Sequence, residues 1–199
     1  GAITVVNSTI SGNDNGINAS TSTIALNAAT VTLNTEEGVD GAAGTISMTN
    51  SIVAGNAPDC GVAVVSGQFS LSSDASCGLS GAGNLPNTNP LLGPLANNGG
   101  PTLTHLPQAG SPAIDAGSNA ACQAVDQRGV ARPVDGNGDG TATCDIGAVE
   151  AAGGVTPPPQ PPPTQPPTDI PTLTEWGLVL LMVLVLLLAA RGLPGTRRR

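Results

Sequence analysis

An Asp/Asn/Gly loop has residue types and spacing that could bind a metal ion. Asp135, Asn137 and Asp139 alternate with glycines in a D-x-N-x-D-G pattern. Oxygens at alternate positions can converge on one hard cation because the glycines let the chain curl, and Thr141 would add a backbone carbonyl. The sequence therefore predicts a structural calcium site, and the alternative interpretation is a solvated turn.

The loop departs from the EF-hand pattern in two respects. Ile146 stands where the bidentate Glu of loop position 12 is expected, and no helical pattern flanks the loop. Asp145, one place earlier, or Glu150 would have to complete the coordination. We therefore include Asp145 among the predicted calcium ligands and exclude an EF-hand.

Catalytic chemistry has few candidates in this chain. His105 is the only histidine, and no Cys or Ser–acid pattern lies near it in the sequence. Arg128 is expected to pair with Asp126 or Asp145 and to stabilise the fold. Sugar-processing enzymes need stacking aromatics and placed acids, yet Phe69 is the only aromatic residue before the proline-rich stretch. The sequence predicts no catalytic residue.

Four cysteines indicate an oxidising, extracytoplasmic compartment. None forms a C-x-x-C pair, so a zinc or redox site is disfavoured, and three disulfide pairings are open. We favour Cys60–Cys77 and Cys122–Cys144 because each would close a loop-rich segment. Buried free thiols are the alternative.

A repeat of about 22 residues organises the first part of the chain. Ile10, Val31 and Val53 share this spacing, and so do three asparagines, each three positions further along. Within each unit apolar residues alternate with Thr, Ser and Asn, which is typical of strands. A period of this length predicts a solenoid, here a parallel β-helix over residues 1–79 with stacked asparagines in αL conformation at its corners.

A solenoid also needs its terminal coil protected from edge-to-edge pairing, and residues 80–150 are predicted to form that cap. Six ordered phrases distinguish this region: NPLLGPL (89–95), NGGPT (98–102), SPAIDAG (111–117), DQRG (126–129), RP (132–133) and CDIGAVE (144–150). Over about residues 50–150 the chain resembles the choice-of-anchor Q domain, which ends many bacterial right-handed β-helix surface proteins. The resemblance implies a right-handed solenoid, a varied C-terminal anchor and no catalytic activity.

The C-terminal region has three parts. A linker over residues 151–169 contains eight prolines and is predicted to be disordered, without helix or sheet, and extended at about 3 Å per residue. An apolar run at 177–190 predicts a single transmembrane helix, although it is shorter than the ~20 residues of a full span. Arg191, Arg197, Arg198 and Arg199 follow it and place the C-terminus in the cytoplasm by the positive-inside rule.

A short polar motif precedes the apolar run. Its residues are Ile170, Pro171, Thr172, Leu173, Glu175, Trp176 and Gly177. With the helix and the arginines, residues 170–199 resemble the IPTL-type C-terminal sorting signal of bacterial envelope proteins. The resemblance implies that an exosortase-type membrane enzyme reads the motif and that the helix holds the protein temporarily in the inner membrane.

Charge and composition limit the kinds of partner that the protein can bind. The formal net charge is −8, and four of the six basic residues lie in the last nine positions. An acidic domain excludes nucleic acid as a partner, because nucleic acid requires basic patches. The chain starts without a Met or a signal peptide, so we expect it to be the C-terminal part of a longer exported precursor.

Together these features predict an all-β protein: a right-handed parallel β-helix (C-terminal coils plus cap), a proline-rich linker and a single C-terminal transmembrane helix. We expect a non-enzymatic envelope or cell-surface protein with an adhesive, matrix or structural role and surface polysaccharide as a candidate partner. The alternative is a polysaccharide lyase or glycoside hydrolase whose active site lies in coils before Gly1.

Overall fold

The computed structural model describes residues 1–19, 21–41 and 45–153 and is built from short β-strands. One 3-10 turn accompanies them at Asn119–Ala121. The strands in chain order are β1 (Ala2–Val6), β2 (Thr9–Ser11), β3 (Ile17–Asn18), β4 (Thr23–Asn27), β5 (Thr30–Thr32), β6 (Val39–Asp40), β7 (Ile46–Thr49), β8 (Ile52–Ala54), β9 (Ser66–Gln68) and β10 (Leu71–Ser72).

The strands stack into three parallel sheets. The first sheet has the order β1-β4-β7-β9, the second has the order β2-β5-β8-β10, and the third pairs β3 with β6. All pairings between these strands are parallel. A chain that visits each sheet once per turn is a parallel β-solenoid, so the predicted fold class is confirmed at this level.

The register of the sheets follows the sequence repeat. In the first sheet Ile3 pairs with Ile24 and Ile24 with Ile46. In the second sheet Val31 pairs with Val53. Of these residues, four have side chains that are completely buried: Ile24, Ile46, Val31 and Val53. The interior is therefore filled by columns of aliphatic side chains of similar size, which explains how a chain with 1% aromatic residues builds a core.

One set of corners carries stacked asparagines. The amide N–H of Asn13 donates to Asn34 Oδ1 at 3.0 Å, and that of Asn34 donates to Asn56 Oδ1 at 3.0 Å. The asparagine ladder predicted from the sequence is confirmed, but the expected αL conformation of its members is wrong. The positive φ angles fall on the preceding residues Gly12, Leu33 and Gly55, at 72°, 56° and 70°. The backbone turns before each asparagine, which leaves the asparagine amide group free to stack.

Residues 90–151, here called the flanking segment, lie along the outer face of the second sheet. Residues 82–88 still continue the stack, since Leu71 pairs with Leu85 and the Leu85 amide donates to the Ser70 carbonyl. The flanking segment instead contacts every coil from the side. As a result all three residues of both β5 and β8 are buried. The end-cap role expected of residues 80–150 fits only the first few of them.

Coils and flanking segment form one compact unit with two disulfide bonds. Cys60 pairs with Cys77 inside the solenoid, with Cα atoms 4.9 Å apart. Cys122 pairs with Cys144 inside the flanking segment, with Cα atoms 6.0 Å apart. Both favoured pairings are confirmed. Each closes a loop of about 20 residues. By restricting the unfolded chain, a bridge across such a loop stabilises the fold by about 3 kcal/mol.

The predicted linker from residue 154 onward and the predicted helix at 177–190 lie outside the described residues. In residues 1–19, 21–41 and 45–153, no helix has the length and apolar character to cross a membrane.

The asparagine ladder gives a direct stability test. Asn34 is 2% exposed, its Oδ1 accepts from Asn13, and its Nδ2 donates to Asn56 Oδ1 at 2.8 Å. Asn34→Ala leaves the Asn13 amide without that acceptor, so we expect the free energy of unfolding to fall by about 1–3 kcal/mol in urea titrations followed by far-UV circular dichroism. Asn97→Ala, at an exposed position with one local bond to Gly99, is the control. Equal losses in both variants would contradict a specific role of the ladder.

Candidate functional site

Hydrogen bonds at Asn50 and Thr30 fasten the flanking segment to the middle coils. The Asn50 side chain accepts from the Ser118 amide at 2.7 Å and donates to the Ser118 carbonyl at 3.0 Å. The Ala148 amide donates to Thr30 Oγ1 at 3.0 Å, and the Gly147 amide donates to the Asn50 carbonyl at 2.8 Å. Gly147 has a φ of 108°, and a Cβ there would meet Ile52 Cδ1 at 2.8 Å. Only glycine therefore allows this approach to the second sheet.

A buried ionic network organises the flanking segment behind these contacts. The Arg128 guanidinium donates to Asp126 Oδ2 from Nε at 2.9 Å and from Nη2 at 2.7 Å. Asp126 also accepts from the amides of Val130 and Glu150. Of the two partners that the sequence offered for Arg128, the structure selects Asp126. Asp126 is 2% exposed, so this pair orders a tight turn instead of facing a ligand.

A second buried pair continues the network. Arg132 Nη1 lies 3.3 Å from Glu150 Oε2, and Arg132 also donates to the carbonyls of Asp145 and Gly147. Glu150 accepts from the amides of Val134 and Asp145. These side chains, at most 8% exposed, use their polar atoms to hold irregular backbone that has no strand partners. The arrangement is one of fold stabilisation.

Burial sets the protonation of these acids. Desolvation raises the pKa of Asp145 to about 7 and raises the pKa of Glu150 above its usual range. Desolvation also acts on Asp126, but the Glu150 amide and the Arg128 guanidinium outweigh it, so the pKa of Asp126 is lowered. Burial lowers the pKa of Arg132, and Glu150 opposes that effect. Burial thus dominates at Asp145 and Glu150, whereas hydrogen bonds and the neighbouring cation dominate at Asp126.

The predicted calcium loop curls around its first carboxylate. Asp135 Oδ1 accepts from the Gly138 and Asp139 amides, and its Oδ2 accepts from the Gly140 amide at 2.8 Å. Asn137 Oδ1 accepts from the Asp139 amide, and Asp139 Oδ1 accepts from the Thr141 amide, both at 2.8 Å. The loop is exposed and places two carboxylates and one amide oxygen on a short arc. This donor set is of the hard-oxygen type that Ca²⁺ prefers.

Asp145 is not brought into this arc. Its side chain is buried, Oδ1 accepts from the Asp115 amide at 2.7 Å, and Oδ2 accepts from the Ala151 amide. Asp115 joins the loop instead, because its carboxylate accepts from the amides of Gly136 and Asn137. Within the described residues, no three Asp, Glu, His or Cys side chains converge as in a metal centre.

A serine–histidine contact escaped the sequence analysis. His105 is 2% exposed, and its Nε2 lies 2.8 Å from Ser11 Oγ, 94 residues away. Its Nδ1 lies 2.7 Å from the Gly93 carbonyl, which requires a proton on Nδ1, and in the neutral imidazole Nε2 then accepts from the Ser11 hydroxyl. In a catalytic triad a carboxylate would hold the Nδ1 of the histidine, whereas here the Gly93 backbone carbonyl does so. The contact fastens the flanking segment to β2, and only the fold could reveal it because the partners are far apart in sequence.

A shallow cavity of about 200 Å³ lies at the fourth coil, lined by residues 64–68 and 78–81. Its lining contains no ionisable side chain. The cavity thus offers no acid or base for hydrolysis of a glycosidic bond.

The predicted sorting residues, from Ile170 to Gly177, and the four arginines at 191 and 197–199 lie outside the described residues. Comparison of the chain with protein-family models, with curated proteins and with solved structures finds no match.

The raised pKa of Asp145 predicts the pH dependence of stability. Its usual value is 3.8, so between about pH 4 and 7 the folded protein retains a proton that the unfolded chain has released. The free energy of unfolding should therefore fall as the pH rises through this window, with Glu150 contributing in the same direction. Asp126 acts at lower pH, where its protonation removes stability.

Urea titrations between pH 4 and 8 test this assignment. Asp145→Asn should flatten most of the slope between pH 4 and 7, even though the variant is less stable throughout, because an amide cannot accept from both the Asp115 and Ala151 amides. Asp14→Asn, at an exposed position, should keep the wild-type slope. An unchanged slope in Asp145→Asn would show that another group governs the window.

Proposed function

We propose that this chain belongs to a non-enzymatic bacterial surface protein, in which a right-handed β-solenoid is displayed outside the cytoplasm. The observation that carries the proposal is the order of parts along the chain. A disulfide-bonded solenoid is followed by eight prolines, then by the I-P-T-L and E-W-G residues, an apolar run and terminal arginines. Disulfides favour an oxidising compartment, and the tail has the layout of an export-linked sorting signal.

The proposed delivery assigns a role to each part of the tail. An exosortase-type enzyme reads residues 170–177, the helix at 177–190 holds the protein in the inner membrane before processing, and the arginines keep the C-terminus cytoplasmic. The proline-rich linker is proposed to leave the motif accessible to that enzyme. The mature protein then resides in the envelope or at the cell surface.

The chemistry of the described residues favours a scaffold over an enzyme. The buried acids and arginines are engaged with each other and with backbone amides, and His105 is engaged with Ser11 and Gly93. The outward positions of the first sheet carry small, mostly polar side chains, such as Ser47 beside Ala25 and Thr49 beside Asn27, and such a surface suits adhesion, matrix contact or binding of surface polysaccharide. Turnover of a polysaccharide by the chain would contradict this proposal and favour a lyase or hydrolase.

Calcium is the proposed cofactor of the exposed loop. Asp135, Asn137 and Asp139 supply side-chain oxygens, and Thr141 supplies a backbone carbonyl. Asp145 was expected to join them, but its side chain is fully buried and is held by the Asp115 and Ala151 amides away from the exposed loop, so the loop is proposed to bind without it. Two carboxylates and an exposed site imply weak binding, in the range of about 10⁻⁴–10⁻³ M that is typical of extracellular modules.

Mass spectrometry of the mature C-terminus tests the delivery. Protein recovered from the envelope of a host with the matching sorting enzyme should end near residues 170–177. Trp176→Ala should leave the chain intact to Arg199, whereas Thr168→Ala, just outside the motif, should be processed normally. An unprocessed wild-type chain would mean that the tail is an ordinary membrane anchor.

Thermal unfolding with and without calcium tests the loop. Wild-type protein should gain a few degrees in Tm at 10 mM CaCl₂ over EDTA, and MgCl₂ should give a smaller gain. Asp139→Asn retains an Oδ1 for the Thr141 amide but loses a charge, so its Tm in EDTA should match wild type and its calcium gain should be reduced. Asp14→Asn is the matched control. A gain that persists in Asp139→Asn would place the bound calcium elsewhere.

A further inference from the structure

The two disulfide bonds lie in different surroundings. Cys60 and Cys77 are 2% and 0% exposed and pack within the hydrophobic core of the coils. Cys144 is also 0% exposed, but its partner Cys122 is only partly buried and directly follows a 3-10 turn that has no buried residue. The first bridge is therefore shielded from a reagent on both sides, whereas the second presents Cys122 to solvent.

A buried cation stands beside the inner sulfur of the second bridge. Arg132 Nη1 lies 3.7 Å from Cys144 Sγ, and the Arg132 side chain is 0% exposed. Its other contacts are the carbonyls of Asp145 and Gly147 and the Glu150 carboxylate. Among the described residues, the buried Arg132 Nε has no hydrogen-bond partner. The guanidinium therefore has an unused donor and faces a sulfur that carries no charge in the disulfide.

Thiol–disulfide exchange requires this kind of asymmetry. An external thiolate attacks one sulfur, the S–S bond breaks, and the other sulfur leaves with the electron pair as a thiolate. The rate depends on access to the attacked sulfur and on the stability of the leaving thiolate. Access favours attack at Cys122, and a neighbouring guanidinium favours the thiolate form of Cys144. The sequence has no C-x-x-C motif, because the fold brings these two sulfurs together from positions 22 residues apart.

We propose that Cys122 is a thiol-exchange site for small thiols. The thiolate of the small thiol forms a mixed disulfide with Cys122 Sγ, and Cys144 Sγ leaves toward Arg132 as a thiolate. One S–S bond forms for the one that breaks, so the step needs no further oxidant or reductant. No charged residue occurs in 116–125, so the sequence around Cys122 does not repel an anionic reagent. This exchange is independent of the proposed anchoring and of calcium binding.

Hydrogen bonds hold the two cysteine segments together when the bridge opens. The Gly117 amide donates to the Cys144 carbonyl at 2.7 Å. Asn119 Oδ1 accepts from the Cys144 amide at 2.8 Å, and Asn119 Nδ2 donates to the Ala142 carbonyl at 3.1 Å. None of these bonds involves sulfur, so Cys144 stays beside Cys122 after the exchange. Cys144 can then attack the mixed disulfide, expel the small thiol and restore the bridge.

Reduction of the folded chain by dithiothreitol measures the selectivity. Its second thiol makes each opening irreversible. Samples are quenched with acid, alkylated in denaturant and cleaved before aspartates, which places every cysteine on its own peptide. Cys122–Cys144 should open at least about tenfold faster than Cys60–Cys77, at a rate that low urea leaves unchanged. Equal rates would overturn the exchange site, and a steep rise in low urea would overturn direct attack in favour of local unfolding.

Glutathione, which has one thiol, identifies the attacked sulfur. The folded chain is incubated with glutathione and treated by the same quench, alkylation and cleavage. The glutathione adduct should lie on the peptide that contains Cys122. An adduct on the Cys144 peptide would overturn the proposed direction of exchange.

Two variants of Arg132 test the stabilisation of the leaving sulfur. Arg132→Gln removes the cation and should slow the opening of Cys122–Cys144 by dithiothreitol about tenfold, whereas Arg132→Lys should restore part of the rate. The Cys60–Cys77 bridge is the internal control, because an unfolded variant would open both bridges faster. An unchanged rate for Cys122–Cys144 in Arg132→Gln, with Cys60–Cys77 also unchanged, would overturn the role of Arg132.

A substitution outside the buried network tests attack at Cys122 separately. Gln123→Asp places a negative charge next to Cys122, so it should slow attack by the glutathione thiolate about twofold at low salt and less at high salt. Gln123→Asn is the matched neutral control and should keep the wild-type rate. Equal rates in the two variants at low salt would overturn attack at Cys122.

Discussion

Parallel hydrogen bonding between successive coils is the constraint on which the rest of this structure depends. Every strand must lie over the strand one repeat before it, so side chains stack in columns on those of the previous coil. An inward position must then be aliphatic and of nearly constant size, and a corner position must tolerate the same turn in each coil. The scarcity of aromatic rings follows from columns that admit only small, repeated shapes.

The same constraint produces two different kinds of polar burial. Along the corners the asparagines satisfy one another, because like stacks on like at a fixed spacing. Along the second sheet the flanking segment has no such repeat and crosses the coils as irregular backbone. Its amides and carbonyls need individual partners, and Asp126, Arg132 and Glu150 supply them from buried positions. Charged groups are used where periodic structure cannot satisfy the backbone.

This burial has a thermodynamic consequence for the dependence of stability on pH. Asp145 is held by two amides but is desolvated enough for its pKa to rise to about 7. Asp126 is held by amides and by an arginine, which together outweigh its desolvation, and its pKa is lowered. The two acids therefore give stability opposite dependences on pH.

The coils, their period and the stacked asparagines could be predicted from the residues alone, because they depend on local alternation and on spacings that recur along the chain. The two disulfide pairs were favoured from the sequence while other pairings stayed open, and the structure selects them. Four features arise only in the folded chain: the position of the flanking segment, the turn of Asp145 away from the 135–140 loop, the αL residues before the asparagines, and the contact of Ser11 with His105 across 94 residues. Those features arise from contacts between segments with no common period. A repeat fixes the neighbours of its own members, but it carries no information about the face on which an irregular segment will pack.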